Sequence, residues 1–171
     1  MDDRDRVLAL FLDELGISES DLQGFEGRKC LQKAIYLLQQ PPFKLDFGFR
    51  YNLYIRGPYS PELADSGYRL LGSMNEWKQV RTERRLIKEC VENIGQLKSH
   101  FARPEGGLDS DLLELAATVH FLAMNTFRHL QDTDALAQAR EWVRRMKPDL
   151  APCFDKAVEK LTKLQMIPSA A

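Results

Sequence analysis

The chain has 171 residues, a formal net charge of −1, 44% hydrophobic residues and 29% charged residues. These values are typical of one globular domain that can bury a sizeable core. The balanced charge excludes a global basic field that would draw the whole chain onto nucleic acid, so any such contact requires a local basic patch.

Hydrophobic spacing predicts two helices before the first proline pair. Apolar side chains recur at near-helical spacing over residues 4–15, and a connector is predicted at 18–21. Residues 26–40 predict the second helix, with its apolar positions on one face. Pro41-Pro42 ends this helix because proline lacks an amide proton and clashes with the preceding turn.

The segment FGFRYNLYIRGPYSPELADSGYRL, residues 47–70, changes the period from helical to alternating. Residues 46–55 place apolar and polar side chains in turn, which predicts a strand with one buried face. Gly57-Pro58 predicts a turn, and Ser60-Pro61 predicts the start of a helix over 61–71, because serine caps the first turn and proline fits the first helical position. We interpret the aromatic residues of this segment mainly as core, with a binding pocket as the alternative.

The second half of the chain predicts four more helices, whereas residues 72–82 show only weak periodicity. The helices are predicted over 83–101, from a cap at Asp109 to Phe127, over 132–146 and over 151–165. The helix after Asp109 is apolar on most sides, which is typical of the central helix of a bundle. We therefore predict a mainly α fold with one domain over residues 1–171, a bundle of about six or seven helices with one short strand or small β element. A winged-helix-like fold is the alternative.

The cysteines and the N-terminus indicate the compartment. Cys30, Cys90 and Cys153 are widely spaced and form no Cys-x-x-Cys pair, which argues against a zinc site or a disulfide framework. The charged N-terminus is not followed by an apolar run, and no stretch reaches the roughly 18 to 20 apolar residues of a membrane helix. We expect a cytoplasmic protein with reduced cysteines and no membrane contact.

No residue pattern specifies a catalytic or metal site. The histidines His100, His120 and His129 have no partner at metal or triad spacing, and the sequence has no phosphate-binding glycine loop. We interpret His120, which lies in an apolar run, as a hydrogen-bonded core residue. Cys30 is interpreted as a small buried residue, with activation of its thiol by neighbouring cations as the alternative. We predict no enzyme activity, no cofactor and no metal.

Basic residues form clusters on the predicted helices. The first cluster comprises Arg81, Arg84, Arg85 and Lys88, and the second begins with Arg140 and Arg144 and extends to Lys147. The pairs 84/88 and 140/144 are spaced so that each pair is expected to share a helix face. Acidic neighbours dilute both clusters, so we interpret them mainly as solvated faces, with nucleic-acid binding as the alternative.

The segments GRKCLQKAIYLLQ and FGFRYNLYIRGPYSPELADSGYRL resemble the YwgA-like proteins, which are related to the SocA/Panacea antitoxin-type domains. In that family a Gly-Arg-x-x-Leu-Gln-Lys-x-x-Tyr-Leu helix precedes an aromatic strand and a Tyr-Gly-Pro-Tyr-Ser turn. Here Arg56 stands where the first tyrosine of that turn is usual. The likeness extends from about residue 24 to 167. The matching positions are Gly27, Arg28, Leu31, Gln32, Lys33, Tyr36, Gly57, Pro58, Tyr59 and Ser60. Residues 72–83 are fewer than in relatives and leave no room for a full hairpin.

The resemblance implies an adaptor or antitoxin-like regulatory protein, linked to mobile elements or defence, that binds a partner protein without catalysis. We predict a partner-binding patch of Arg28, Gln32, Lys33, Tyr36, Arg56 and Tyr59, because arginine and tyrosine are favoured interface residues. Gln32 and Lys33 are also expected to satisfy carbonyl groups of the nearby turn. The alternative is a winged-helix-like DNA-binding transcriptional regulator, expected as a homodimer, that uses the basic clusters.

Overall fold

The computed structural model describes residues 2–168, and this range contains nine α-helices and one two-stranded sheet. The helices are Asp3–Leu15 (α1), Glu19–Gln23 (α2), Phe25–Gln39 (α3), Pro61–Gly72 (α4), Met74–Glu83 (α5), Lys88–Phe101 (α6), Ser110–Phe121 (α7), Asp132–Met146 (α8) and Phe154–Lys163 (α9). The strands Asn52–Tyr54 (β1) and Gly57–Tyr59 (β2) form an antiparallel hairpin before α4, with Leu53 opposite Pro58. The predicted mainly α fold with a small β element is confirmed, and the helices outnumber the prediction.

Capping groups explain why α2 forms where we predicted a connector at residues 18–21. The hydroxyl of Ser18 accepts a hydrogen bond from the N–H of Asp21 at 3.2 Å, and the carboxylate of Asp21 accepts one from the N–H of Ser18 at 2.7 Å. This reciprocal capping satisfies two backbone donors and starts a short helix. Gly27 then allows α3 to approach α2 closely, since a Cβ there would lie 2.1 Å from the carbonyl oxygen of Asp21.

The strand predicted over 46–55 is shorter in the structure, where only Asn52–Tyr54 is paired. Strand β2 has three residues, so the residues before β1 have no partner strand. The side chain of Gln39 instead bonds the backbone of Phe49, because its amide nitrogen donates to the Phe49 carbonyl at 3.0 Å and its oxygen accepts from the Phe49 N–H at 3.3 Å. The predicted alternation of burial is kept, and Phe49 is buried.

The region after α4 differs most from the prediction. Weak periodicity predicted no element at 72–82, yet α5 forms there, packs against α1 and buries Trp77 and Val80. Residues 84–87 are not helical and α6 begins only at Lys88, so the prediction that Arg84 and Lys88 share a helix face is wrong. A helix therefore occupies the place where a winged-helix-like fold would need its hairpin.

Helix α7 lies at the centre of the molecule, as its apolar character predicted. Every residue from Leu112 to His120 is buried, and the helix contacts α3, α8, α9 and β2. A π-helical turn at Leu122–Thr126 continues α7, so the long predicted helix changes its hydrogen-bonding pattern after Phe121. Helix α3 is buried from Lys29 to Leu38. Both α3 and α7 pack against strand β2 of the hairpin.

The remaining helices agree closely with their predicted bounds. Helices α1, α3, α4 and α8 match to within one residue at each end. The last predicted helix begins as a 3₁₀ turn at Ala151–Cys153 and ends at Lys163. Within residues 2–168, no helix has both the length and the apolar character that crossing a membrane requires.

Candidate functional site

A cleft of about 440 Å³ opens between the start of α3, the β1–β2 hairpin and α4. Its volume lies within the roughly 300–1,000 Å³ that is usual for ligand sites. Buried residues form the floor of the cleft: Lys29, Leu31, Gln32, Lys33, Gly57 and Gly67. Exposed apolar residues form the rim: Phe25, Tyr54, Ile55 and Tyr68.

The floor is held by hydrogen bonds from α3 to the backbone of the hairpin. The side-chain amide of Gln32 donates to the Ser60 carbonyl and accepts from the Ser60 N–H, each at 2.9 Å. The ammonium of Lys33 donates to the carbonyl of Pro58 at 2.7 Å. Buried backbone groups need such partners because water cannot reach them. The prediction that Gln32 and Lys33 support the turn is confirmed.

Gly57 lies where the hairpin comes closest to α7. Its φ of 85° is in the left-handed region, and a Cβ at this position would lie 2.5 Å from the hydroxyl oxygen of Thr118. Glycine alone meets both requirements at low energy. Ser60 then caps α4 by accepting from the N–H of Leu63 at 3.3 Å, as the sequence predicted.

A buried carboxylate, Glu114 of α7, lies beneath one side of the cleft. Its Oε1 accepts a hydrogen bond from the ammonium of Lys147, and its Oε2 lies 3.3 Å from Nζ of Lys29 and 3.9 Å from the guanidinium of Arg56. Lys147 also donates to the carbonyl of Ile55 at 2.7 Å. The Glu114 cluster (Lys29, Arg56, Glu114 and Lys147) thus joins α3, α7, the end of α8 and the tip of the hairpin.

The two lysines of α3 that line the cleft have opposite pKa shifts. Burial disfavours the ammonium of Lys29, but hydrogen bonds to Asp111 at 2.7 Å and to Glu26 outweigh burial and raise the pKa of Lys29. Burial lowers the pKa of Lys33 to about 7; the charge of Glu114 opposes this shift. Lys33 is therefore a buried amine whose protonation is finely balanced near neutral pH.

Five of the six residues predicted for the partner-binding patch line this cleft. Gln32 and Lys33 lie in the floor as described. The guanidinium of Arg28 donates to the carbonyl groups of Leu22 and Gln23 at the end of α2 and lies 5.9 Å from the Tyr68 ring. The guanidinium of Arg56 lies 5.4 Å from the ring of Phe25, and Tyr59 packs edge-on against Tyr54 with ring centroids 5.5 Å apart.

Tyr36, the sixth predicted residue, lies outside the cleft. It is one turn further along α3 than Gln32, which takes it past the hairpin and into the core. Its hydroxyl and Nδ1 of His120 lie 2.8 Å apart in a hydrogen bond, and its ring packs edge-on against Tyr51 at 5.1 Å. Only 2% of Tyr36 is exposed. We therefore assign Tyr36 to the core and remove it from the patch.

The main interpretation of the aromatic residues in 47–70 as core missed the rim, whereas the binding-pocket alternative included Tyr54. Phe25 and Ile55 were not predicted. Tyr54 is about half exposed, and Ile55, at 76%, is the most exposed large hydrophobic residue of the described chain. A signal for both was present in the sequence. Tyr54 falls out of phase with the half-buried positions Tyr51 and Leu53, and Ile55 follows it at the hairpin tip.

His120 is a hydrogen-bonded core residue, as predicted. It is 2% exposed and bonds to Tyr36 through Nδ1. Burial lowers the pKa of His120 to about 4, because the positively charged imidazolium would lose its hydration. His120 is therefore neutral at physiological pH.

We expect acidification to destabilise the protein through His120. In the unfolded chain the imidazole binds a proton near its ordinary pKa of 6.5, whereas the folded state binds it only near 4. The unfolded state therefore gains protons first, and stability falls as the pH drops from 6.5 to 4, by about 3 kcal/mol. Urea unfolding across this range should show a shallower loss for His120→Gln than for the unmodified protein. The exposed His129 provides the control: His129→Gln should keep the original slope, and equal slopes for all three proteins would contradict the prediction.

The free cysteines give no reactive thiol in the cleft. Cys30 is buried, and burial raises its pKa to about 11 although Lys29 is adjacent. The interpretation of Cys30 as a small buried residue is confirmed, and the alternative of an activated thiol is wrong. Within residues 2–168, no group of three or more His, Cys, Asp or Glu side chains is arranged to hold a metal ion.

Most members of the predicted basic clusters form contacts within the chain. Arg81 pairs with Asp13 at 2.7 Å, Lys88 with Glu92 at 3.5 Å, and Arg84 lies 4.0 Å from Asp3. Arg85 donates to the carbonyl groups of Arg81 and Arg84, and Arg140 pairs with Asp155. Lys147, which sequence reasoning grouped with Arg140 and the exposed Arg144, is buried on Glu114 instead. These contacts reduce the charge that the clusters present to a phosphate backbone.

In comparisons with known proteins, no family model, curated protein or solved structure matches this chain. The resemblance to YwgA-like proteins accordingly stays a prediction based on the two quoted segments.

Proposed function

We propose that the protein is a non-catalytic, cytoplasmic adaptor or antitoxin-like regulator of the YwgA/Panacea type that binds a partner protein in the cleft. One observation carries this proposal. Eight large hydrophobic residues are exposed in the described part of the chain, and four of them form the rim of this cleft. Exposed apolar side chains that gather in one place, rather than scatter singly, are typical of protein-binding sites.

The composition of the cleft supports the same function. Its lining includes three tyrosines, Tyr54, Tyr59 and Tyr68, and two arginines, Arg28 and Arg56. Tyrosine and arginine are enriched at interfaces because each combines a large contact area with directed hydrogen bonds. The floor is fastened by buried hydrogen bonds, so a partner would meet a preformed surface and little ordering would oppose binding.

Site-specific crosslinking in native cells tests the proposal. A photoreactive amino acid at Ile55 should capture one defined protein, since this side chain is on the rim and 76% exposed. The same amino acid at Ile87 is the matched control, because Ile87 is also an exposed isoleucine, at 67%, but lies away from the cleft. Equal capture at both positions, or capture of nucleic acid alone at position 55, would contradict the proposal.

A further inference from the structure

All charged residues that line the cleft are cationic. Four cationic residues line it, Arg28, Lys29, Lys33 and Arg56, and none of its lining residues is acidic. Such a site attracts and orients a negatively charged group, particularly beside apolar walls that exclude water.

Two of these cations are already engaged. The ammonium of Lys29 has carboxylate oxygens of Asp111, Glu26 and Glu114 at 2.7, 3.0 and 3.3 Å. The guanidinium of Arg28 donates to two carbonyl groups at the end of α2. Carboxylates therefore balance the charge of Lys29, and the two carbonyl groups hold the guanidinium of Arg28 at the end of α2.

Lys33 and Arg56 differ from that pair. Among the described residues, Lys33 donates one hydrogen bond, to the carbonyl of Pro58, and forms no salt bridge. An ammonium has three N–H donors, so two remain. Arg56 is 3.9 Å from the nearest carboxylate oxygen, that of Glu114, and 62% of its side chain is exposed. Lys33 in the floor and Arg56 at the rim therefore line the cleft without a carboxylate oxygen of the described residues closer than 3.9 Å.

Resting on the proposed protein-binding role, we propose that the cleft recognises a partner segment in which an aspartate or glutamate adjoins a bulky apolar residue. The carboxylate binds Lys33 and Arg56, and the apolar side chain packs among Tyr54, Ile55 and Tyr68. The arginine can hold the carboxylate through two parallel hydrogen bonds. The apolar rim supplies the remaining contact area.

The position of the charges favours an acidic peptide over a nucleic acid. Lys33 is 2% exposed and lies beneath an apolar rim. A phosphodiester backbone binds cations on exposed surfaces that it can follow for several residues. A single carboxylate on a flexible side chain can instead reach past the rim to the floor.

Binding of a carboxylate should also be linked to the protonation of Lys33. The charged groups that face Lys33 are Glu114 from α7, Lys147 from beyond α8, and Lys29 on its own helix. Burial lowers the pKa of Lys33 to about 7, and a bound anion would raise this pKa by stabilising the ammonium. Binding therefore takes up a proton, and affinity should fall as the pH rises from 6 to 8.5, where the free amine predominates.

Selection from a random dodecapeptide library on the 171-residue chain tests the inference. Selected peptides should share an acidic residue next to an apolar one. Changing that acidic residue to its amide should weaken binding about tenfold, and Arg56→Gln should reduce the difference between the two peptides several-fold, because only Lys33 would still bind the carboxylate. Arg50→Gln is the matched control, since Arg50 is exposed but does not line the cleft. The affinity of the acidic peptide should be several-fold lower at pH 8.5 than at pH 6.

The outcomes separate this inference from the proposed function. Peptides that lack an acidic residue, yet bind in a manner that Ile55→Asp abolishes, would overturn the acidic motif and leave protein binding in place. A labelled oligonucleotide that binds and is released by Arg56→Gln, with no peptide enriched, would overturn the inference. If no peptide is enriched and the crosslinker at Ile55 captures no protein, both proposals are wrong.

Discussion

Glu114→Gln is expected to lower the free energy of unfolding by about 3 to 5 kcal/mol. Glu114 is 2% exposed, and its carboxylate is the acceptor for the buried ammonium of Lys147 and a counter-ion for Lys29. An amide would keep the shape of the side chain but leave the Lys147 charge buried without a counter-ion, which costs far more than losing an exposed ion pair. Urea unfolding monitored by circular dichroism measures the change.

Two further variants identify the cause of that loss. Glu141→Gln removes an exposed carboxylate that lies 3.5 Å from Arg145 on α8, and should cost about 0.5 kcal/mol or less. The double variant Glu114→Gln/Lys147→Met should recover part of the lost stability, because it removes the buried charge as well. A double variant less stable than Glu114→Gln would show that the unpaired ammonium is not the cause.

Gly57→Ala is expected to destabilise the protein by about 4 kcal/mol. A left-handed φ strains an alanine by roughly 1 to 3 kcal/mol, and forcing an extra methyl group into a packed site costs a similar amount. Both apply here, since φ is 85° and the new Cβ would lie 2.5 Å from the Thr118 hydroxyl oxygen. The floor of the cleft should be distorted too, so ligand binding should weaken in any fraction that stays folded. Thermal and urea unfolding report the first effect.

Gly48 offers a matched control that separates backbone strain from the steric contact with Thr118. Its φ of 73° is also left-handed, but nothing lies within 4 Å of a Cβ built there. Gly48→Ala therefore measures the backbone strain alone, about 1 kcal/mol. Thr118→Ala should restore part of the stability of Gly57→Ala by vacating the contact. If Gly57→Ala costs no more than Gly48→Ala, the close approach to α7 is unimportant.

The sequence predicted the elements whose signals are local. Helices α3 and α8 combine a clear apolar period with a proline that stops them, so their bounds were predicted closely. Helix α5 was missed because it is mostly polar and buries only Trp77 and Val80. The strand was predicted too long because the backbone of Phe49 is bonded by a side chain of α3, and aromatic alternation looks the same in either case.

The candidate site could be predicted only in part for a similar reason. The motif residues Gln32 and Lys33 were correctly placed beside the turn, because a helix and a turn that share a motif at short separation are expected to touch. The Glu114 cluster was missed, since Glu114 and Lys147 are 33 positions apart and each resembles an ordinary surface charge in the sequence. Burial of a charge is set by the surrounding helices, and no local pattern reveals it.

Gln32 bonds the hairpin to α3, and Gly57 lets the hairpin approach α7 closely. These two roles determine how mutations at each position affect a genetic screen. Inactivating substitutions recovered from random mutagenesis should concentrate at these two positions, and the cell should contain less of the altered protein because it is degraded. Substitutions of the exposed Ile55 and Tyr68 should leave the amount of protein unchanged. A screen that measures protein abundance together with phenotype would therefore separate these destabilising substitutions from those at the contact surface. Phenotype alone would assign Gln32 and Gly57 to the contact surface by mistake.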